Sequence, residues 1–326
     1  GENRTNWKRK PNVIAQTRYK SRFQAQVSDY IFGVYSGRIV AGELVRLAVR
    51  RHVKDLVHAH ERGYYFDPEK ADHAIEFFEV CKHSKGEWAG KPLELSPWQM
   101  FIVWCLFGWR RRRDQTRRFR KAFISVARKN GKSTLCAALA LLLFICDEPI
   151  EMGAEVYTAA TKLDQAKIIY NAAVQMRAQS PPLRNRIKKY SGAMTIEDAA
   201  CKFEALGGDG DNLDGLNPSG MFLDEIHAWT ERHRDKWDKL TSGSGSRTQP
   251  LTVAITTAGN EKSILWKEED DFAVKVVESV ETGHIISDTV FSFIARFDPD
   301  DDPFDRSIWP KANPNIGLSA KLEYLE

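Results

Sequence analysis

The sequence is poor in cysteine. Five occur among 326 residues (Cys81, Cys105, Cys136, Cys146 and Cys201), an odd number with no C-x-x-C pair. That excludes a disulfide framework and gives no support to a structural zinc site, so reduced and mostly buried thiols are expected. Long apolar runs are also missing. The longest, Leu135 to Cys146, has twelve residues, whereas a bilayer crossing needs about 20. The N-terminal GENRTNWKRKPN has no apolar segment, so no signal peptide is read and a soluble, intracellular protein is expected. There is no internal repeat, no long low-complexity tract and no strong excess of either charge. Lys and Arg number 48 against 44 Asp and Glu, a net +4. With 42% apolar and 28% charged residues the composition is globular and excludes a disordered, collagen-like or coiled-coil chain. The length allows two domains or one large domain with appendages.

The charge is uneven. RRRRDQTRRFRK, Arg110 to Lys121, holds eight basic residues and one acid. It suits contact with nucleic-acid phosphates, or it is a solvated turn before a core strand. Upstream, the apolar spacing predicts helices over 27–58, interrupted by Gly33, Gly37 and Gly42. An amphipathic helix is predicted over 68–81, and another opens at Ser96-Pro97, a cap residue followed by proline. After residue 120, strands are predicted at 121–127, 154–160, 201–206, 220–225 and 251–257, with one or two more in 284–297. Helices are predicted at 132–146, 164–179, around 231–241 and at 261–280. This alternation implies an α/β fold with a mainly parallel sheet flanked by helices.

Four strand or helix ends carry chemistry. Ala127 to Thr134 reads ARKNGKST between a strand and a helix, the context of a phosphate-binding loop. Backbone N–H groups there face phosphate oxygens and the helix dipole favours the anion. Asn130, Gly131 and Thr134 belong to this loop, Lys132 would reach the β- and γ-phosphates, and Ser133 would ligate magnesium. The usual first glycine is missing: Val126 stands five residues before Gly131. Second, the apolar strand ending in Asp224-Glu225 places two acids at the sheet's carboxyl edge, where such sheets bind ligands. Asp224 would hold magnesium through water and Glu225 would orient the attacking water. Third, Thr256 and Thr257, before Ala258-Gly259-Asn260, could meet the γ-phosphate or the lytic water, or form a simple turn. Fourth, the Gln99 amide could read an adenine edge with Trp98 packed on the base; the alternative is a capped helix with a buried tryptophan.

Together these segments resemble the ATPase portion of the large terminase subunit of tailed bacteriophages. The resemblance rests on YYFD (64–67), KGEWAGKPLELSPWQ (85–99), ARKNGKS (127–133), NLDGLNPSGMFLDEIHAW (212–229), ITTAG (255–259) and ANPNIG (312–317). It implies a P-loop NTPase fold preceded by a helical N-terminal region. The expected division is 1–60 helical, 61–297 ATPase, and 298–326 a linker toward a C-terminal region. It implies Gln99 at the adenine, Arg128, Lys132 and Ser133 at the phosphates, Asp224 and Glu225 as the acidic pair, and Thr256 and Thr257 as a coupling motif. The cofactors would be ATP and magnesium. The partners would be double-stranded DNA, further copies in a ring, a portal protein and a small terminase subunit, in the host cytoplasm and without membrane contact.

Large terminases continue into an RNase H-like nuclease. Here the acidic run Asp298, Asp300, Asp301, Asp302 and Asp305 is broken by Pro299 and Pro303 and reads as a solvated linker, so no complete nuclease site is expected in this chain. Some relatives carry a basic residue before the acidic pair that acts on a neighbour's ATP; DNLDG with Asp214 supplies none. Arg247, in the flexible SGSGSRTQ loop before the Thr256 strand, is the first candidate for a trans-acting arginine near the catalytic edge, with Arg232 and Arg234 as alternatives, while Arg128 would serve within its own subunit. Competing functions are a helicase-type ATPase and a nucleotide-dependent DNA-binding switch.

Overall fold

In a computed structural model, residues 20–83, 88–207, 213, 215–243, 245–259 and 263–318 are described. The expected features at Asp214 and Asn260 lie outside them. The chain opens with α1 (Gln24–Ser36) and α2 (Glu43–His58). Then come β1 (Tyr64–Phe66), α3 (Pro68–Val80), α4 (Pro97–Gly108) and β2 (Trp109–Arg111). Asp67 caps α3 by accepting from the N–H groups of Glu69 and Lys70. Gln99 Oε1 accepts from the Ser96 N–H in the capping-box pattern at the start of α4, with Pro97 in the first turn, as the start signal implied.

Next follow β3 (Lys121–Ser125), α5 (Lys132–Ile145), β4 (Glu155–Ala159), α6 (Leu163–Gln179), α7 (Pro181–Arg186), β5 (Lys188–Lys189), β6 (Ala193–Ile196), β7 (Cys201–Leu206) and β8 (Gly220–Leu223). The described chain ends with α8 (Arg234–Ser242), β9 (Leu251–Thr256), α9 (Ile264–Thr282), β10 (Val290–Ile294) and a 3-10 turn at Arg306–Lys311. Only one strand lies in 284–297. The 231–241 helix is split, with a 3-10 turn at Glu231–His233 before α8.

The main sheet has the order β10-β3-β9-β8-β4-β7-β6-β5. Its first six strands are parallel, and β6 and β5 extend it antiparallel. Side chains alternate between two cores, following the strand period of two. Phe222, Val253 and Ile255 join α4, α5 and α6 on one face. Phe123, Met221, Leu223 and Ala254 join Trp229, Trp237, Leu265 and Ala273 on the other. Strands buried on both faces explain the near-continuous apolar runs. At Gly220 an added Cβ would lie 2.9 Å from Leu143 Cδ1, so a small residue lets α5 lie close against β8. No described helix is long and apolar enough to cross a membrane. The described cysteines are unbridged, and four of the five are buried.

Two expectations need correction. The basic run is not one surface. Arg117 is buried against Asp147, Arg118 pairs with Asp55 and Asp288, and Arg110 donates to the carbonyls of Phe107 and Glu148. Exposed guanidinium character is left to Arg112 and Arg113. The acidic run is not a free solvated linker either. Asp298 accepts from the N–H of Glu43, and Lys311 bridges Asp298 and Asp301. Residues 312–316 then fold back onto the loop after β3.

Candidate active site

Because the strands are parallel, their carboxyl ends share one edge. Since β9 lies between β3 and β8, Thr256 and Thr257 sit between the 126–131 loop and the Asp224-Glu225 pair. Sequence spacing alone does not reveal this central position.

Val126, at the place of the missing glycine, is buried and donates its N–H to the Thr256 carbonyl at 3.1 Å. The left-handed backbone falls instead on Lys129 (φ 66°) and Gly131 (φ 78°). A Cβ at Gly131 would meet Gln99 Nε2 at 3.2 Å, a tight contact at a left-handed position, so conformation and space both favour glycine there. Lys132 is buried at the first position of α5, and its ammonium donates to the carbonyls of Val126 and Ala127 at 2.7 and 2.8 Å. Burial pulls its pKa below the lysine range, while Glu225 and Asp224 oppose that pull. Ser133 and Thr134 follow, half-buried, and Arg128 is exposed.

Asn130 is fully buried. Its Nδ2 donates to the carbonyls of Ala127 and Arg128 and to Asn313 Oδ1, and its Oδ1 accepts from the Asn315 N–H at 3.0 Å. Asn315 Nδ2 donates to the Asn130 carbonyl, and Asn315 Oδ1 accepts from Trp98 Nε1 at 2.7 Å. The ANPNIG segment is thus a brace under the phosphate loop. Asn313 and Asn315 carried no role in the sequence reading, although their segment was among the matched motifs.

Trp98 is therefore not a platform for a base. It is 1% exposed and stacks on Phe293 at 5.5 Å, and its indole N–H is taken by Asn315. Gln99 does sit against the loop, but its Oε1 accepts from the Ser96 N–H at 3.1 Å in the cap. Its Nε2 is the end that faces Gly131.

Asp224 is 4% exposed and accepts from the N–H of Glu225. Burial, and then the neighbouring Glu225 charge, push its pKa up to about 6. A cation would offset this desolvation. Ser133 and Asp224 offer the hard oxygen donors that suit magnesium, which is commonly held by one or two carboxylates plus substrate phosphates. Among the described residues no cluster of three or more His, Cys, Asp or Glu exists that could cage a metal.

Glu225 has φ 51°, a left-handed conformation costing a non-glycine residue roughly 1–2 kcal/mol. Such strain persists where the surroundings hold it: the Asp224 carboxylate takes the Glu225 N–H, and the Glu225 carbonyl accepts from Ala228. Its Oε2 lies 3.0 Å from His227 Nε2. That hydrogen bond is the main cause holding the Glu225 carboxyl below its usual range, with Lys132 and Arg128 adding to it. His227 was missed by sequence reasoning, although it stands two residues past the acidic pair.

Arg247 requires the largest correction. It precedes the start of β9, and thus lies at the amino edge of the sheet. Its Nε donates to the Asn217 carbonyl at 2.8 Å, and its Nη1 and Nη2 donate to those of Met152 and Gly153, which precede β8 and β4. Five residue steps of β9 put it roughly 17 Å or more from the carboxyl edge. Of its alternatives, Arg234 is held between Glu231 and Glu268, whereas Arg232 is exposed.

The chain is similar to known proteins over much of its length. Residues 97–275, over half the chain, match the family model described as terminase large subunit, ATPase domain. The large terminase subunit of Enterobacteria phage HK97 is 27% identical over 252 residues, covering 76% of this chain and 47% of that protein. Protein YmfN of Escherichia coli K12 is 33% identical over 141 residues, covering 41% of this chain and 29% of that protein. The crystal structure of the HK97 large terminase superposes with a TM-score of 0.64 at 25% identity, covering 78% of this chain and 50% of that one. The chain spans about half the length of the HK97 relative.

Proposed function

The chain belongs to the terminase large subunits by its ATPase domain, and from that premise we propose that it is the ATP-hydrolysing motor portion of a machine that drives double-stranded DNA into a viral procapsid. The observation that carries this reading is the convergence of three strand ends on one edge: the phosphate loop after β3, Thr256-Thr257 after β9 and Asp224-Glu225 after β8.

In this mechanism the loop N–H groups, with Lys132, Asn130, Gly131 and Thr134, hold the β- and γ-phosphates, and Arg128 approaches from the exposed side. Ser133 and Asp224 would hold magnesium, which supplies charge neutralisation on the phosphates when bound. Glu225 orients a water whose oxygen attacks the γ-phosphorus, and it draws the water's proton. The bond to the bridging oxygen breaks, leaving ADP and phosphate. Thr257, between loop and acids, senses the γ-phosphate, and Thr256, fully buried with its hydroxyl on the Thr257 carbonyl, couples it to His227. Gln99 recognises adenine through Nε2, the atom its capping role leaves to the loop side.

The remaining assignments follow from the family. The working form is a ring around duplex DNA, docked on a portal protein and served by a small subunit, in the host cytoplasm. The trans-acting arginine is Arg232 rather than Arg247, because Arg232 is exposed on the catalytic side. The full-length protein adds an RNase H-like endonuclease beyond this portion. Residues 298–318 belong with the ATPase unit, since they brace its phosphate loop.

The test is ATP turnover with and without duplex DNA, beside a strand-separation assay. Turnover that duplex DNA stimulates, without strand separation, is expected. Strand separation would favour a helicase, and ATP binding without turnover would favour a switch.

A further inference from the structure

His227 stands at the junction of the acidic pair and the coupling threonines. Its Nε2 is 3.0 Å from Glu225 Oε2. Its Nδ1 is 3.2 Å from Thr256 Oγ1 and 3.3 Å from Thr257 Oγ1. Its backbone N–H donates to Thr256 Oγ1 at 3.2 Å, and its carbonyl accepts from Ser263 Oγ at 2.6 Å. The ring is thus fixed from both sides.

The hydrogen positions follow from the partners. A carboxylate accepts, so Nε2 carries the proton facing Glu225. In the tautomer with its proton on Nε2, Nδ1 accepts. The Thr256 hydroxyl already donates to the Thr257 carbonyl at 2.7 Å, so its hydrogen is spent. The donor to Nδ1 is therefore the Thr257 hydroxyl. A directed chain results, Thr257 Oγ–H to Nδ1, then Nε2–H to Glu225 Oε2.

We infer that His227 is a positioning residue that aims the Glu225 carboxylate and ties its aim to Thr257. The inference rests on the reading of Glu225 as the water-orienting group. The backbone of Glu225 is held in the left-handed region, and His227 holds the free end of its side chain. If the Thr257 hydroxyl turns toward phosphate, Nδ1 loses its donor and the ring that holds Glu225 is released to move. Hydrolytic competence then depends on what Thr257 touches.

The test uses variants that replace one ring nitrogen at a time. His227→Ala removes both contacts. His227→Gln can place an amide near the Nε2 position, and His227→Asn near the Nδ1 position. Turnover and nucleotide affinity are measured separately, with Glu225→Gln as the reference. His227→Ala is expected to lower turnover about 10–100-fold, the usual range for a group that orients another functional group, with the Kd for ATP within about threefold of the parent. His227→Gln is expected to regain part of that loss, and His227→Asn less. Turnover within about twofold of the parent in His227→Ala, while Glu225→Gln is inactive, overturns the positioning role alone. So does recovery by Asn but not by Gln, or a loss of ATP binding that matches the loss of turnover. Full turnover in Glu225→Gln overturns the reading of the site itself, and the role of His227 with it. Should His227→Ala fail to fold, the Gln and Asn pair carries the test. Nitrogen NMR on isotope-labelled histidine in slightly alkaline buffer adds a direct readout. A protonated Nε2 with an accepting Nδ1 is expected, and an Nδ1–H tautomer contradicts the chain.

Discussion

At the amino end of the sheet, Arg117 meets both oxygens of Asp147, and Arg247 is spread over three carbonyls. At the carboxyl end, Lys132 rests on two loop carbonyls, and Asp224 is buried beside a second acid with its pKa pushed up to about 6. Both ends bury charge, but the first pairs it within the chain while the second leaves it opposed. A closed pair such as Arg117–Asp147 secures folding, and breaking it strands a buried charge. Charge that burial opposes is the condition for binding an anion and a cation together, as a nucleotide and its metal require.

The largest effect is expected at Lys132. Lys132→Ala is expected to abolish hydrolysis and weaken ATP binding about 10–100-fold, the worth of hydrogen bonds to charged groups; fluorescent-nucleotide titration reads the second effect. At the other end, Arg117→Ala is expected to cost about 3–5 kcal/mol of stability in denaturant unfolding, with unchanged ATP affinity in the folded fraction. A drop in affinity there would show that the amino end reaches the nucleotide.

Smaller effects sharpen the carboxyl end. Asn315→Ala leaves the indole N–H of buried Trp98 and the Asn130 carbonyl without this partner, and is expected to cost about 1–3 kcal/mol. Part of that cost should appear as weaker ATP binding, measured by calorimetry, because the brace touches the loop. Gln99→Ala is expected to reduce the ATP-over-GTP preference more than maximal turnover. It also removes one half of a capping box, worth about 1 kcal/mol in thermal unfolding.

Much of this was legible in the sequence wherever information is local. The β3 to α5 transition, the acids at the end of β8 and the start of α4 follow from apolar periodicity and cap chemistry. The short antiparallel β5 and β6 escaped, because two and four residues are too few to show alternation. Contacts between distant segments escaped as well. Trp98 was read as packing on a base, with a buried tryptophan as the alternative; the partners that decide for burial, Phe293 and Asn315, lie about two hundred positions away. Arg247 was placed at the wrong end because nearness to β9 in sequence says nothing about which end of the strand it adjoins. Strand direction decides that. His227 was missed because its role exists only once β8 and β9 lie side by side.

On the proposed reading, chemistry belongs to the carboxyl edge and structural pairing to the amino edge. ATP bound and ATP hydrolysed, measured on the same preparations of Glu225→Gln and Arg247→Ala, test it most directly. Glu225→Gln should bind ATP with parental affinity and turn it over at least about a hundredfold more slowly, the scale of a lost general base, while Arg247→Ala should bind and hydrolyse within about twofold of the parent. Normal turnover in Glu225→Gln, or its loss in a folded Arg247→Ala, would contradict the account.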